Sequence, residues 1–503
     1  MTETSALRIR NRRAVPLADI PMLGLTEFGA QLEDAIAGDW RIVTLFGTPE
    51  ADDALRIMCV MAHDARGELS VTSSLVGREY PALGGRTRQA ARFECEIAEQ
   101  CGTRPQGHPR LRALRRHAPD HVPSRWRADS TDRLGSEFTK VGGDEVHEVA
   151  VGPVHAGIIE PAHFRFQAHG EEILSLEVML GYQHRGVERL LESTPRERAI
   201  YVAESIAGDS VIAHTSAWCG AMEALARSHK SPRAQAIRGI ALEIERLANH
   251  IGDLGALSGD VAYQPAASYF GRMRGDCLNL LMAISGNRYG RGLIRPGGVG
   301  FDIDAEIARE IEHRMARLGD EFRDIAALFF GTSSVQSRLE GVGVVSAGSC
   351  IANGFVGIVA RACDVPRDAR HDHPYGVFRF AQIPVATAWA GDVYARALVR
   401  RLEVQRSIAF IAEQVDALPN GEPRSPCGPL ARSEFAVALE EGWRGEVVHA
   451  VLTDDSGNVR RHKVIDPSFH NWPAIEIAMS GNQISDFPMS NKSFNLSYAG
   501  HDL

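Results

Sequence analysis

Glu160, His163 and Arg165 stand within one short stretch, Glu160-Pro161-Ala162-His163-Phe164-Arg165, which sets a carboxylate beside an imidazole and a guanidinium. A partly buried carboxylate is suited to relaying protons. Its structural alternative is an ion pair with a nearby arginine, which costs less than a lone buried charge. His184 and Arg185, and further on Arg361, Asp368 and Arg370, are candidates to line a cavity with fixed charge, or to form a hydrogen-bonded network between domains. Glu243, Arg246, His250 and Asp253 recur at three- and four-residue spacing and so share one helix face. A charged stripe packed against neighbouring helices or a partner explains them without chemistry. His371 and His373 form His-x-His, which in a strand would turn both rings to one face. No third ligand stands at a suggestive spacing, and no metal site is expected there. Cysteines at 59, 95, 101, 219, 277, 350, 363 and 427 include no Cys-x-x-Cys pair, the usual local sign of zinc or iron–sulfur ligation. Reduced, mostly buried thiols are the expectation.

The elements that must position these residues fall into two unlike parts. After a basic tail over 1–20, the runs Arg41 to Phe46, Leu55 to Met61 and Gly67 to Val76 read as strands, and Gln89 to Gln100 reads as a helix. Gly102 to Arg116 is rich in Gly, Pro and Arg and predicts an extended arm. A small α+β domain over 21–117 follows, then a polar linker over 118–145. Beyond it, helical patterns dominate over Arg196 to Ser228, Pro232 to Leu257, Ala267 to Ser285, Asp304 to Phe330 and Asp392 to Leu418. Ser231 and Pro232 make a cap followed by a first-turn proline, and Gly255 lies near that helix's end. Glu446 to Thr453 and Val459 to Ile465 predict a hairpin. The second domain, 146–503, is therefore mainly α-helical with minor β-structure.

Composition narrows the function. With 503 residues, 44% hydrophobic and 24% charged, the chain is an ordinary globular protein too long for a single core. A formal charge of -9 offers no long-range attraction to nucleic acid. No stretch supplies the roughly twenty uninterrupted apolar residues a membrane span needs, and the arginines at 8, 10, 12 and 13 are not followed by the apolar segment of a secretory signal. A cytoplasmic chain is expected.

Longer motifs carry a resemblance. Gly152-Pro153-Val154-His155, the Glu160 to Arg165 stretch and GYQHRGVE at Gly181 to Glu188 open the second domain. LEIERLANHIGDLGALSGD at Leu242 to Asp260, RPGGV at Arg295 to Val299 and RACDVPRDARHDHPY at Arg361 to Tyr375 follow in order. From about Gly152 to Leu503 the chain is similar to the large subunits of complex-I-related nickel–iron hydrogenases and to the quinone-site 49 kDa subunit of complex I. FECEIAEQCGTRPQGHPRLR at Phe93 to Arg112 keeps the spacing of the small 30 kDa partner of that subunit. Fusion of the two units is the layout of formate hydrogenlyase and hydrogenase-4 large subunits.

The resemblance implies an oxidoreductase subunit that docks on a small iron–sulfur subunit and on integral membrane complex-I-like subunits, peripheral on the inner face of the plasma membrane. It implies that Glu160 and His163 begin a proton path, and that His155, His184, Arg185, Arg361, Asp368 and Arg370 line a cavity facing the iron–sulfur partner. The departures are as informative. Family hydrogenases hold nickel and iron through four cysteines, whose slots here contain Ala207, Ser210, Ser497 and Gly500. Alanine and glycine have no ligating side chain, and a neutral serine hydroxyl replaces a thiolate poorly on these metals, so a nickel–iron centre is not expected. Counting from the complex I quinone pair puts Val202 at its tyrosine and Ile159 at its histidine, with Tyr201 and Glu160 one residue away. Quinone is thus a candidate ligand if local packing turns Tyr201 and Glu160 inward. A non-catalytic scaffold in an ion-translocating assembly is the alternative role.

Overall fold

The computed structural model describes residues 6–50, 54–115, 121–122, 138–155 and 159–503, so most of the expected linker lies outside the described residues. The N-terminal region is sheet-rich. In chain order it contains β1 (Leu7–Ile9), β2 (Val15–Pro16), β3 (Met22–Leu23), α1 (Leu25–Ala37), β4 (Arg41–Pro49), β5 (Leu55–His63), β6 (Glu68–Val76), β7 (Glu79–Pro81), α2 (Arg88–Cys101) and β8 (Arg104–Gln106). One sheet runs β1-β6-β5-β4, antiparallel throughout, with β3 added parallel to β6.

The basic stretch expected as a tail is tied in at both ends, because β1 pairs with β6 while β2 joins a distant sheet through β14 (Glu434–Glu441). Between them Asn11 donates to the carbonyls of His373 (2.9 Å) and Leu439 (3.1 Å) and accepts from the Leu439 amide at 2.9 Å. Arg12 is held as well, pairing with Glu440 and stacking on Tyr375. The extended arm is present, with only the three-residue β8 as a regular element before Arg115. Carboxylates of α2 satisfy its backbone. Glu99 accepts from the amides of Leu114 and Arg115 at 3.0–3.1 Å, and Glu96 pairs with the Arg115 guanidinium.

A second sheet of β9 (Val146–Val151), β10 (His163–His169) and β11 (Glu172–Met179) precedes the helical part. There α3 (Val187–Ser193), α4 (Arg196–Ala203), α5 (Val211–Leu225), α6 (Pro232–Asp260) and α7 (Gln264–Ser285) follow, then the short pair β12 (Ile294–Arg295) and β13 (Gly298–Val299). The remaining helices are α8 (Ala305–Gly331), α9 (Ser333–Leu339), α10 (Ala347–Asn353), α11 (Gly357–Arg361), α12 (Ala369–Asp372) and α13 (Val393–Asp416). Strands β14, β15 (Glu446–Thr453) and β16 (Val459–Ile465) and helices α14 (Pro467–Met479), α15 (Phe487–Phe494) and α16 (Tyr498–Asp502) complete the chain. The expected hairpin is β15–β16, widened by β14 and β2 into a four-stranded sheet.

Three expectations need correction. The helix anticipated over 196–228 is two, because residues 204–210 form a loop and Glu245 on α6 accepts from the amides of Ile212 (2.7 Å) and Ala213 (3.1 Å), capping α5 from outside. Helix α6 runs past the expected Leu257 to Asp260, with Gly255 in its interior. A Cβ there would lie 3.1 Å from Phe270 Cβ, so this glycine lets α7 approach closely. His371 and His373 are not on a strand: α12 holds His371 toward solvent, paired with Asp372, while His373 is buried against Asp64 at 3.1 Å. Their rings go separate ways, and among the described residues no group of three His, Cys, Asp or Glu could hold a metal ion.

Helix α6 is enclosed on nearly every side, packed on α7 and α13, with buried residues spread around its circumference. Ser231 caps it by accepting from the Ala234 amide at 3.0 Å, with Pro232 in the first turn. A helix so placed must pair every charge it carries.

Candidate functional site

The loop at 204–210 and the chain's last turn are drawn together by Arg185. Its guanidinium donates to the carbonyls of Ser205 (2.6 Å) and Ile206 (2.8 Å) in the first, and reaches Ala499 O at 3.5 Å in the second. His184 beside it bonds the Asp502 carbonyl at 2.7 Å, and Asp502 accepts from the amides of Gly181 and Gln183 at 2.8 and 2.9 Å. Arg444 closes the other side. It grips Asp209 with two parallel bonds of 2.7 and 2.8 Å, donates to Asn495 O at 2.5 Å and lies on the Trp443 ring.

Glu160 completes this arrangement. Half-buried, it accepts from the amides of Tyr498 and Ala499 and lies in the field of Arg444 and Asp209. Burial pushes its carboxyl above the usual range, against Arg444 and with help from Asp209. The same carboxyl lies in the field of the exposed Arg185 guanidinium. His163 does not join it: the ring bonds Gly152 O at 3.0 Å and packs on Phe138, while Arg165 pairs with Glu148 at 2.6 Å. His155 rests against Phe164.

The four positions that would carry thiolates lie in these same two loops and are filled for other purposes. Ala207 is buried. Ser210 precedes α5 and turns its hydroxyl to Asp209 at 3.4 Å. Ser497 caps α16, accepting from the Gly500 amide at 2.9 Å. A Cβ on Gly500 would lie 2.5 Å from the Asp466 carboxyl carbon, so that carboxylate already occupies the space a side chain would need. These residues do not fit a four-thiolate nickel–iron centre.

Nor is Tyr201 turned inward as the quinone expectation required. It is 59% exposed, with the Arg295 guanidinium over its ring at 5.5 Å, and Ile159 is 57% exposed. Only Glu160 of that pair faces the site.

Arg361, Asp368 and Arg370 lie elsewhere, in a buried cluster with the α6 stripe. Arg361 bonds Glu441 at 2.7 Å and lies 3.2 Å from Glu403; Arg370 bonds Asp368 (2.6 Å), Glu243 (2.9 Å) and Glu403 (3.0 Å); Arg246 pairs with Glu243 and Glu403. They do not line an open cavity. Of the two readings open from the sequence, the paired network holds, and it absorbs the helix stripe as well. Burial and the nearby Asp368 raise Glu441 to about 7. His250 is buried, with its ring pushed to the neutral form by burial and then by Arg246. Asp253 at the stripe's end accepts from Arg400 (2.7 Å) and from Asn495 (2.6 Å), the residue whose carbonyl Arg444 binds.

Asp209, Arg444 and Asp466 were not singled out in the sequence as functional. Arg444 follows a tryptophan in a Gly-Trp-Arg-Gly turn, and nothing local distinguishes it from a surface arginine.

Residues 260–427 match the family model described as "Respiratory-chain NADH dehydrogenase, 49 Kd subunit". The chain is 31% identical over 345 residues to the carbon monoxide-induced hydrogenase of Rhodospirillum rubrum, covering 68% of this chain and 95% of that protein. Hydrogenase-4 component G of Escherichia coli strain K12 is 28% identical, over 84% of this chain and 76% of its own length. An NADH-quinone oxidoreductase component from Clostridium beijerinckii is 28% identical, over 67% of this chain and 91% of its own. The chain belongs to the family of complex-I-related hydrogenase large subunits and NADH-quinone oxidoreductase 49 kDa subunits.

Proposed function

We propose that this protein is the large subunit of a membrane-associated, complex-I-related oxidoreductase in which electrons reaching an iron–sulfur partner are coupled to proton or quinone chemistry, without a nickel–iron centre in this chain. The relatives named above are hydrogenase and NADH-quinone oxidoreductase components, which supports membership of such an assembly. No helix among the described residues is long and apolar enough to cross a membrane, so integral membrane subunits would supply the attachment. The observation that carries the reading is the carboxyl of Glu160, raised by burial and set between Arg444 and the backbone of the last turn. A carboxyl whose neutral form is favoured by burial, in a half-open site, is suited to taking and giving a proton. The chain's part is to bind and orient: Arg185 and Arg444 fix the two loops, and Glu160 exchanges the proton.

The test is purification of the assembled complex, metal analysis, and NADH-, formate- and quinone-linked turnover before and after Glu160→Gln. Iron without stoichiometric nickel and a fall in turnover of roughly a hundredfold are expected, the lower end of what a positioned acid–base group contributes. Unchanged turnover in Glu160→Gln would remove the proton role. An intact complex with no redox turnover and no iron–sulfur absorbance would instead give this chain the role of a scaffold.

A further inference from the structure

Asp466 faces two ways. One face fills the space beside Gly500; on the other, Oδ2 accepts from His214 Nε2 at 3.0 Å. His214 Nδ1 stands 3.4 Å from His449 Nε2, and His449 Nδ1 stands 2.9 Å from His462 Nε2. All three histidines are fully buried. They come from α5, β15 and β16, and the hairpin register explains the second contact. His449 lies opposite Val464 and His462 opposite Val451, so the two rings are diagonal neighbours on one face.

With one hydrogen on each ring, the order along this line is fixed. The Asp466 carboxylate only accepts, so His214 carries its hydrogen on Nε2 and offers the Nδ1 lone pair. His449 must then donate from Nε2 and accept at Nδ1, and His462 must donate from Nε2. His462 Nδ1 remains as a lone pair with no partner among the described residues. Its charged neighbours are Glu188 and Arg461, and Glu192, whose side chain is 14% exposed, accepts the His462 main-chain amide at 3.0 Å. Burial keeps His449 and His462 neutral at ordinary pH, the latter lowered to about 3. Stability alone does not call for such a line, since replacing both members of a buried polar pair by apolar groups of like shape is often neutral or better.

We propose that His462, His449, His214 and Asp466 form a proton relay connecting the Glu188–Glu192 edge with the site closed by Arg185 and Arg444. A proton added to His462 Nδ1 displaces the Nε2 hydrogen to His449 Nδ1. That ring passes its own to His214 Nδ1, and the His214 Nε2 hydrogen goes to Asp466, giving a neutral carboxylic acid. Each ring ends with one hydrogen, moved from Nε2 to Nδ1, so the line must return the proton or reorient its rings before carrying another. What the site does with the proton rests on the function proposed above; the relay does not.

The experiment is exchange of imidazole hydrogens with solvent, followed by NMR on the full chain labelled with ¹⁵N-histidine. The His214 Nε2 hydrogen is expected to exchange faster than the backbone amides of β15, despite equal burial. His449→Gln, which keeps a donor and an acceptor but passes protons poorly, is expected to slow it by roughly a hundredfold. His373→Gln, at a buried imidazole outside the line, leaves it unchanged. Exchange as slow as the β15 amides in the unaltered protein overturns the relay, whether or not His449→Gln folds. So does a rate that His449→Gln leaves unchanged. Normal exchange in a complex without redox turnover would sink the proposed function and leave the relay standing.

Discussion

Two charged regions of the molecule use the same residue types and are built differently. In the cluster around α6, three arginines (Arg246, Arg361, Arg370) meet four carboxylates (Glu243, Asp368, Glu403, Glu441), all of them buried. Each charge touches an opposite one, and several touch two. Around Glu160 the same residue types are spaced out: Arg185 is exposed, Glu160 half-buried, and Asp209 keeps a third of its side chain in contact with solvent. Close opposite-charge contacts for every member make the cluster a scaffold, although Arg361 Nη2 and Glu403 Oε1 have no hydrogen-bond partner among the described residues and Glu441 keeps a raised carboxyl. Pairing around Glu160 is looser, which is what the proton role proposed for it requires. Charge content alone does not separate an architectural site from a reactive one; the degree of mutual satisfaction does.

The sharpest way to break this comparison is to remove one cation from the cluster. Arg361→Met leaves Glu441 buried without its arginine and takes one of three cations from Glu403, and is expected to cost about 3–5 kcal/mol, read from the urea midpoint. A loss below about 1 kcal/mol would show that the cluster is not the scaffold inferred here. Next in size is a pH effect from buried neutral imidazoles. His462 is lowered to about 3, and His470 and His501 to about 4, each by burial. The unfolded chain therefore binds more protons below about pH 6.5, so stability is complete above that value and declines as the pH falls toward 3–4. Between pH 6.5 and 5 each such histidine contributes a loss of roughly 2 kcal/mol. His470→Phe should remove about that much from the drop, measured as unfolding free energy at the two pH values.

At the looser site the effects are smaller. Asp209→Asn turns a two-point ion pair with Arg444 into a neutral contact and is expected to cost about 1.5 kcal/mol. It should also lower the Glu160 pKa, because one nearby negative charge is gone. Titration of the Glu160 carboxyl by isotope-edited infrared spectroscopy checks the sign. Tyr201→Ala, on the exposed face beneath Arg295, should change stability by no more than about 0.5 kcal/mol. A larger change would mean that this surface is held more tightly than its exposure implies.

Local chemistry decided much of this molecule from the sequence alone. Periodicity located α6, α7, α8 and α13 to within a few residues, and the Ser231–Pro232 pair marked the start of α6, because caps and apolar spacing act over a single turn. The strands β4, β5 and β6 of the N-terminal sheet and the β15–β16 hairpin were legible for the same reason, whereas β1 and β3 were not. Family membership was legible too, through long motifs whose order survives divergence. What the last residues and the 204–210 loop do together was not, since Arg185 joins segments about three hundred positions apart in the chain. Likewise the α6 stripe and the Arg361–Arg370 stretch read as two features, and packing made them one. His449 and His462 went unremarked although the hairpin was expected, because only the register sets them diagonally, and only α5 supplies His214. Short-range rules placed the elements. Which charges were neutralised and which were left able to move a proton depended on what else was brought within hydrogen-bonding distance, and that is a property of the tertiary fold.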